Sequence, residues 1–251
     1  MHLQHTLVML VLVLCLDGQV HTVEIIGGHE AVPHSRPYMV LLVRRFHSTI
    51  RHCDGFLLNE DFVITAAHCQ ASSYEALLGV HNFHKHGQQK ISIEQEFPHK
   101  DFNKTGRMTN DIMLLKLSSK ANVTDFVKPI GLAGPGDRIL PQHCLVSGWG
   151  TSNSTTNKMT TNLMEVNVTL VDETICNRDH LYCSEGDTGP APGDSGGPLV
   201  CGDGKAYGVV SFTYKPHPPS NRKPIHGFTK ITDYKAWIDW TIAFKGKINH
   251  K

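Results

Sequence analysis

The chain lacks an apolar run long enough to span a bilayer. The run "LVMLVLVLCL", residues 7–16, has the length of a signal-peptide core instead. No Lys or Arg precedes it, which is unusual for an export signal. Strand–helix alternation is also missing, which argues against a parallel α/β sheet. Sequence repeats and disordered low-complexity blocks are absent as well. Neither sign of charge is in excess: 24 Lys and Arg against 23 Asp and Glu leave +1. Removing residues 1–24 takes Asp17 and Glu24 but no Lys or Arg, so the exported chain carries +3. That charge makes no electrostatic case for nucleic acid. A polyanion partner such as a proteoglycan would need the cations clustered or the histidines protonated.

What is present is the composition of a turn-rich β protein. The 251 residues are 40% hydrophobic, with 22 Gly and 13 Pro. Short apolar runs recur between turn residues, among them "YMVLLV" from Tyr38, "FVITAA" from Phe62, "ISIEQEF" from Ile91, "IMLLKL" from Ile112, "LMEVNVTLV" from Leu163 and "YGVVSF" from Tyr207. Their length and Val/Ile content predict strands. The tail "DYKAWIDWTIAF" changes period. Tyr234, Trp237, Ile238, Thr241 and Ile242 share one helical face, which predicts a terminal helix packed on the body. Residues 151–162 and 214–224 read as polar loops, the second stiffened by proline.

Of seven cysteines, Cys15 leaves with the signal. Cys53, Cys69, Cys144, Cys176, Cys183 and Cys201 remain, an even number that implies three disulfides in an exported chain. Counting alone does not choose among their pairings. Glycosylation sequons at Asn103, Asn122, Asn153 and Asn167 agree with export.

The stretch "TGPAPGDSGGPLVC", residues 188–201, carries the first chemical signal. A serine hydroxyl is a poor nucleophile unless a base takes its proton and an acid orients that base. The oxyanion that develops needs fixed donors, for which a glycine-rich turn supplies backbone N–H groups. "GDSGGP" offers such a turn around Ser195. "ITAAHC" sets His68 at the end of an apolar strand, and "TNDIMLL" sets Asp111 at the start of another. Each has an ordinary structural explanation singly; the three together are poorly explained that way.

With "IIGG", "TAAHC", "NDIMLLKL", "SGWG" and "GDSGGPLVC" in this order, the chain resembles the chymotrypsin-like serine proteases, within them the granzyme, cathepsin G and mast cell chymase branch. The resemblance runs from Ile25 to the terminal helix. It implies an all-β fold of two six-stranded antiparallel β-barrels with a C-terminal α-helix, the cleft between the barrels holding the triad. It implies His68 as general base, Asp111 as its orienting acid, Ser195 as nucleophile, and the N–H groups of Gly193 and Ser195 as the oxyanion hole. It also implies pairing of Cys53 with Cys69, Cys144 with Cys201 and Cys176 with Cys183. The domain expectation is a signal peptide over 1–22, an activation dipeptide at 23–24 and a peptidase domain over 25–251. Within it, the first barrel is set at about 25–130, the second at about 131–232 and the helix at about 233–244.

The resemblance implies an activation switch too: a cut before Ile25 frees an amine that folds inward to Asp194. Breaking such a buried ion pair costs about 3–5 kcal/mol, enough to couple a distant cut to the oxyanion hole. Glu24 precedes the cut, where trypsin-activated zymogens carry Arg or Lys. Val23-Glu24 therefore reads as a dipeptide removed by a dipeptidyl peptidase, as in granule proteases of this branch. The expected partners are protein or peptide substrates, that activating peptidase, serpin-type inhibitors and a granule proteoglycan, with no nucleic acid and no membrane span. The expected location is secreted, with storage in secretory or cytolytic granules. No cofactor or metal is implied; the histidines of "HNFHKH", residues 81–86, read as a solvated loop.

Six residues before the serine, Gly189 takes the place of the specificity-pocket base. With no carboxylate there, a buried Arg or Lys would go unneutralised, so tryptic cutting is not expected. Other pocket positions match Pro190, Ser211, Phe212, Thr213 and His226. Aliphatic, aromatic or Met/Leu, and acidic P1 side chains all stay open, the last through a protonated His226. The chain departs from the branch at Pro190, Ala191 and Pro192, where two donors are lost beside Gly193. It departs again in "CNRDHLYC", whose loop between Cys176 and Cys183 is short. Against an endopeptidase stand two other readings: a protease-shaped binding or antimicrobial granule protein with little catalysis, and a chain locked in a zymogen-like state. Relatives of the first kind lost triad residues, and this chain keeps all three.

Overall fold

Alternation along the strands decides which side chains meet. The computed structural model describes residues 27–85, 89–137, 142–151, 158–172, 176, 180–215 and 221–245. The expected signal peptide, Val23, Glu24, Ile25 and Asn153 lie outside them. Six strands close one barrel: β2 (Met39–Arg45), β3 (Ile50–Asn59), β4 (Phe62–Thr65), β5 (Ser73–Leu78), β6 (Gln89–Pro98) and β7 (Met113–Leu117), in the order β2-β3-β4-β7-β6-β5. Six more form the second: β8 (His143–Gly148), β9 (Met164–Val171), β10 (Leu181–Glu185), β11 (Pro198–Cys201), β12 (Ala206–Tyr214) and β13 (Ile225–Lys230). Here β9 pairs with both β8 and β10, which closes the ring. A two-residue strand β1 (His29–Glu30), from the N-terminal part of the chain, crosses over to pair with β9. All these pairings are antiparallel.

β9 follows the period of two: Val166, Val168 and Leu170 point inward and Asn167 and Thr169 outward. β2 does not. Val40 and Leu42 join the first barrel's core, while Met39 and Leu41 pack with Trp149 and Leu163 of the second half. Both faces are covered because this strand lies where the barrels meet, which is why its sequence is a continuous apolar run.

The helix α1 (Ile231–Trp240) begins directly after β13 and passes into a wider π-type turn, Thr241–Lys245. Asp233 in its first turn suits the positive end of the helix dipole. Its buried face is Ile231, Tyr234, Ile238 and Thr241, with Trp237 and Ile242 half-buried. Ile231, Tyr234 and Ile238 join the first barrel's apolar cluster together with Val209 of β12, so the helix ties the two halves together. The Tyr234 hydroxyl donates to Asn110 Oδ1 at 3.0 Å, and the His99 ring stands edge-on to Tyr234 and Trp237. The helix thus braces the residue that precedes Asp111. Disulfides join Cys53 to Cys69, Cys144 to Cys201 and Cys176 to Cys183. Asn103, Asn122 and Asn167 are exposed.

Ile238→Ala should lower the midpoint of denaturant unfolding, with unchanged slope, by the equivalent of about 2–5 kcal/mol.

Candidate active site

His68 lies in a one-turn 3-10 segment, Ala67–Cys69, that ends β4. Its backbone is held from several sides. The turn, in which Ala67 and Cys69 are buried and His68 is half-buried, is stapled to β3 by the Cys53–Cys69 disulfide. The Arg44 guanidinium reaches in from β2 to the carbonyls of His68 (3.4 Å) and Gln70 (3.1 Å). Asp111, just before β7, is fully buried, and its carboxylate faces this turn. Oδ1 accepts the His68 backbone N–H at 2.9 Å, and Oδ2 lies 2.7 Å from His68 Nδ1. An ionised carboxylate can only accept, so Nδ1 carries a proton, and in the neutral ring Nε2 is then the acceptor. The Ser211 hydroxyl donates to Oδ2 at 2.5 Å, and Thr229 Oγ1 donates to the Asp111 carbonyl at 2.9 Å. Asp111 is thus over-determined by the second barrel. Sequence reasoning missed Arg44 and Thr229 altogether and took Ser211 for a pocket residue alone, since nothing local marks a long-range hydrogen bond.

Ser195 is half-buried and faces the same cleft. Its carbonyl accepts the Asp54 N–H at 2.8 Å, and Cys69 Sγ lies 3.7 Å from it, which sets the serine against the turn carrying His68. No hydrogen bond joins Ser195 to His68 among the described residues; such bonds are commonly long before substrate binds. Gly196, at φ +87°, passes so close to Thr65 and the Asp54 carbonyl that a Cβ would collide with both.

Pro192 is compatible with an outward-facing Gly193 N–H in the turn ahead of the serine. The Pro192 carbonyl accepts the Thr151 N–H at 2.8 Å. In a trans peptide the C=O of Pro192 and the N–H of Gly193 point opposite ways. The first points inward, so the second points out. Gly193 has φ +111°, and a Cβ there would stand 2.8 Å from Gly150 Cα, so only glycine fits. Among the described residues, neither the Gly193 nor the Ser195 N–H donates a hydrogen bond. Two adjacent donors are therefore open beside the serine. Asp194 holds this turn from below: its fully buried carboxylate accepts the N–H groups of Gly150 and Ala191, each at 2.7 Å. Burial raises Asp194 from its ordinary 3.8 to about 6.

Beside Ser195 opens a cavity of about 320 Å³, lined by Pro190, Ala191, Pro192, Val210, Ser211, Phe212, Thr213 and Lys215. Gly189 and His226, expected in its wall, are not among its lining residues. His226 is 1% exposed, and its ring fills the space where a side chain at 189 would stand. Its Nε2 lies 3.1 Å from the Gly186 carbonyl, which accepts, and its Nδ1 lies 3.0 Å from Thr213 Oγ1. Burial pulls this histidine below its ordinary range. His226 is thus a neutral ring with both nitrogens committed, and it has no N–H left for an acidic ligand. Cys53, His68 and Cys69 bring three ligand-type atoms together, but both sulfurs are spent in a disulfide, so no metal set remains there.

The trypsin family matches residues 25–238. Mouse granzyme E is 39% identical over 92% of this chain and 96% of its own length. Human granzyme B is 38% identical, covering 94% and 98%, and bovine duodenase-1 is 38% identical, covering 93% and 95%. The solved structure of neuropsin, a serine protease expressed in the limbic system of mouse brain, superposes with a TM-score of 0.73 at 33% identity, covering 86% of this chain and 98% of that one.

The raised carboxyl of Asp194 contributes stability that is full below 3.8 and is lost as pH rises through about 6. In the uncleaved chain, any Tm advantage of wild type over Asp194→Asn should therefore shrink across that window; a difference constant with pH would contradict the assignment.

Proposed function

This chain belongs to the trypsin family and is a chymotrypsin-like serine endopeptidase, and we propose that His68, Asp111 and Ser195 carry out its chemistry. Ser195 Oγ attacks the scissile carbonyl while His68 Nε2 takes its proton. Asp111 keeps the other imidazole proton on Nδ1 and stabilises the imidazolium that forms. The N–H groups of Gly193 and Ser195 take the oxyanion, and His68 then protonates the leaving amine. Water repeats the sequence on the acyl-enzyme. The observation that supports this reading is the pair of open N–H donors at Gly193 and Ser195, the first of them oriented by the Thr151–Pro192 hydrogen bond.

The same reading covers activation and fate. Removal of Val23-Glu24 by a dipeptidyl peptidase frees the Ile25 amine, which pairs with Asp194. The enzyme is secreted or stored in granules, as the granzyme-like sequence suggests. Serpin-type inhibitors and a granule proteoglycan remain its proposed regulators.

For specificity, walls of proline, alanine, valine and phenylalanine favour an apolar P1 side chain of small or medium size. The neutral His226 argues against an acidic P1. One observation supports the acidic alternative: Lys215, an exposed cation among the residues that line the cavity. A positional-scanning peptide library should report cleavage after Val, Ala, Leu or Met. Cleavage after Asp or Glu that disappears in Lys215→Ala would favour the second reading, and cleavage after Arg or Lys would refute both.

After dipeptide removal, a fluorophosphonate probe should label wild type and leave Ser195→Ala unlabelled. Asp111→Asn should lower kcat by about 10⁴. Activation by trypsin, with no change on dipeptide removal, would contradict the proposed processing.

A further inference from the structure

Asp54 follows Cys53 in β3, is fully buried, and has no part in the chemistry above. Its side chain does not enter the first barrel's core. It turns toward the junction of the barrels, where Oδ2 accepts the Trp149 N–H at 3.2 Å. Oδ1 is buried and has no hydrogen-bond partner among the described residues. A Cβ placed on Gly148 would collide with Asp54 Oδ2 and with Asp194 Oδ1 together, so the two carboxyls face one another across that glycine. Burial and the charge of Asp194 push Asp54 well above the usual carboxylate range.

Among the described residues, the surroundings supply hydrogen-bond groups but no cation. Thr65 of β4 donates to the Asp54 carbonyl. Ser147 and Gly148 of β8, Trp149, Gly150, Ala191 and the glycines after Ser195 make up the rest. His52, two residues earlier on the same face of β3, is held below its ordinary range by burial and by Arg44. Among the described residues, no Lys, Arg or His forms an ion pair with either carboxyl. Two buried carboxylates cannot both stay ionised without a counter-charge, so the uncleaved chain keeps a proton on the pair. Asp194 has a backbone donor on each oxygen at 2.7 Å; Asp54 has one at 3.2 Å and one bare oxygen. The proton therefore belongs to Asp54.

We propose that Asp54 is a second carboxyl of the pocket that receives the Ile25 amine: it holds a proton while the pocket lacks a cation and gives it up when the ammonium arrives. The proton passes to the amine if that arrives uncharged, and to water otherwise; either way the pocket ends with two carboxylates around one ammonium. Asp54 is thus a positioning residue that acts through Asp194 on the oxyanion hole. The inference rests on the activation reading above, and it deepens that reading.

The consequence is a pH dependence of the cleaved enzyme. The amine must stay protonated to remain inserted, and a second negative charge beside it holds that proton to higher pH. Asp54→Asn keeps the shape and the neutral state but cannot supply the charge, and Asp54→Gly removes the side chain. After cleavage before Ile25, fluorophosphonate labelling of wild type and both variants should agree near pH 6. On the alkaline side, the variants should lose labelling about one pH unit or more below wild type. Equal alkaline midpoints would overturn the role of Asp54 and leave the triad untouched. Absence of labelling in cleaved wild type at every pH would overturn the activation reading and the Asp54 proposal with it. A second measurement needs neither activity nor the variants. Infrared spectra of the uncleaved wild-type chain at pH 7 should contain a protonated carboxyl band that is lost on cleavage. An uncleaved chain without that band would overturn the proposal.

Discussion

The structure turns on a buried carboxylate. Asp194 lies at the plane where the two barrels meet and accepts the N–H groups of Gly150 and Ala191. Those bonds fix the two loops that bracket Pro192 and Gly193, and the Thr151–Pro192 hydrogen bond follows from their closeness. Through one peptide plane this sets the direction of the Gly193 N–H. A charge taken out of water is costly, so whatever neutralises Asp194 governs whether the whole arrangement persists. That makes the far end of the chain, where Ile25 would be freed, energetically part of the oxyanion hole.

The proposed triad is supported in the same way, by groups from the opposite barrel. Asp111 comes from the first barrel but is held by Ser211 and Thr229 of the second. Ser195 comes from the second, and its carbonyl is held by Asp54 of the first. The terminal helix completes the tie through Tyr234 and Asn110. Relative sliding of the barrels would break several of these bonds at once, so packing between domains and geometry of the site are one constraint.

Much of this was legible in the sequence. Apolar runs of strand length between turn residues gave the β architecture, and a change of period at Tyr234 gave the helix. His68, Asp111 and Ser195 could be put forward as candidates because each sits in a distinctive local string. What could not be read was anything decided by two distant backbones meeting. Asp54 carried no signal in the sequence, because its meaning depends on Asp194, far along the chain. His226 left an acidic ligand open in the sequence; burial and the Gly186 carbonyl make it a ring packed against Gly189. Pro190 and Pro192 looked like a threat to Gly193, and Thr151 removes it, a residue no local pattern singles out.

A structure of the cleaved enzyme with a peptide aldehyde bound to Ser195 tests this directly. The hemiacetal oxygen should lie within about 2.7–3.1 Å of both the Gly193 and Ser195 backbone nitrogens, with the Pro192 carbonyl still on Thr151. A Gly193 N–H turned away from that oxygen would contradict the account.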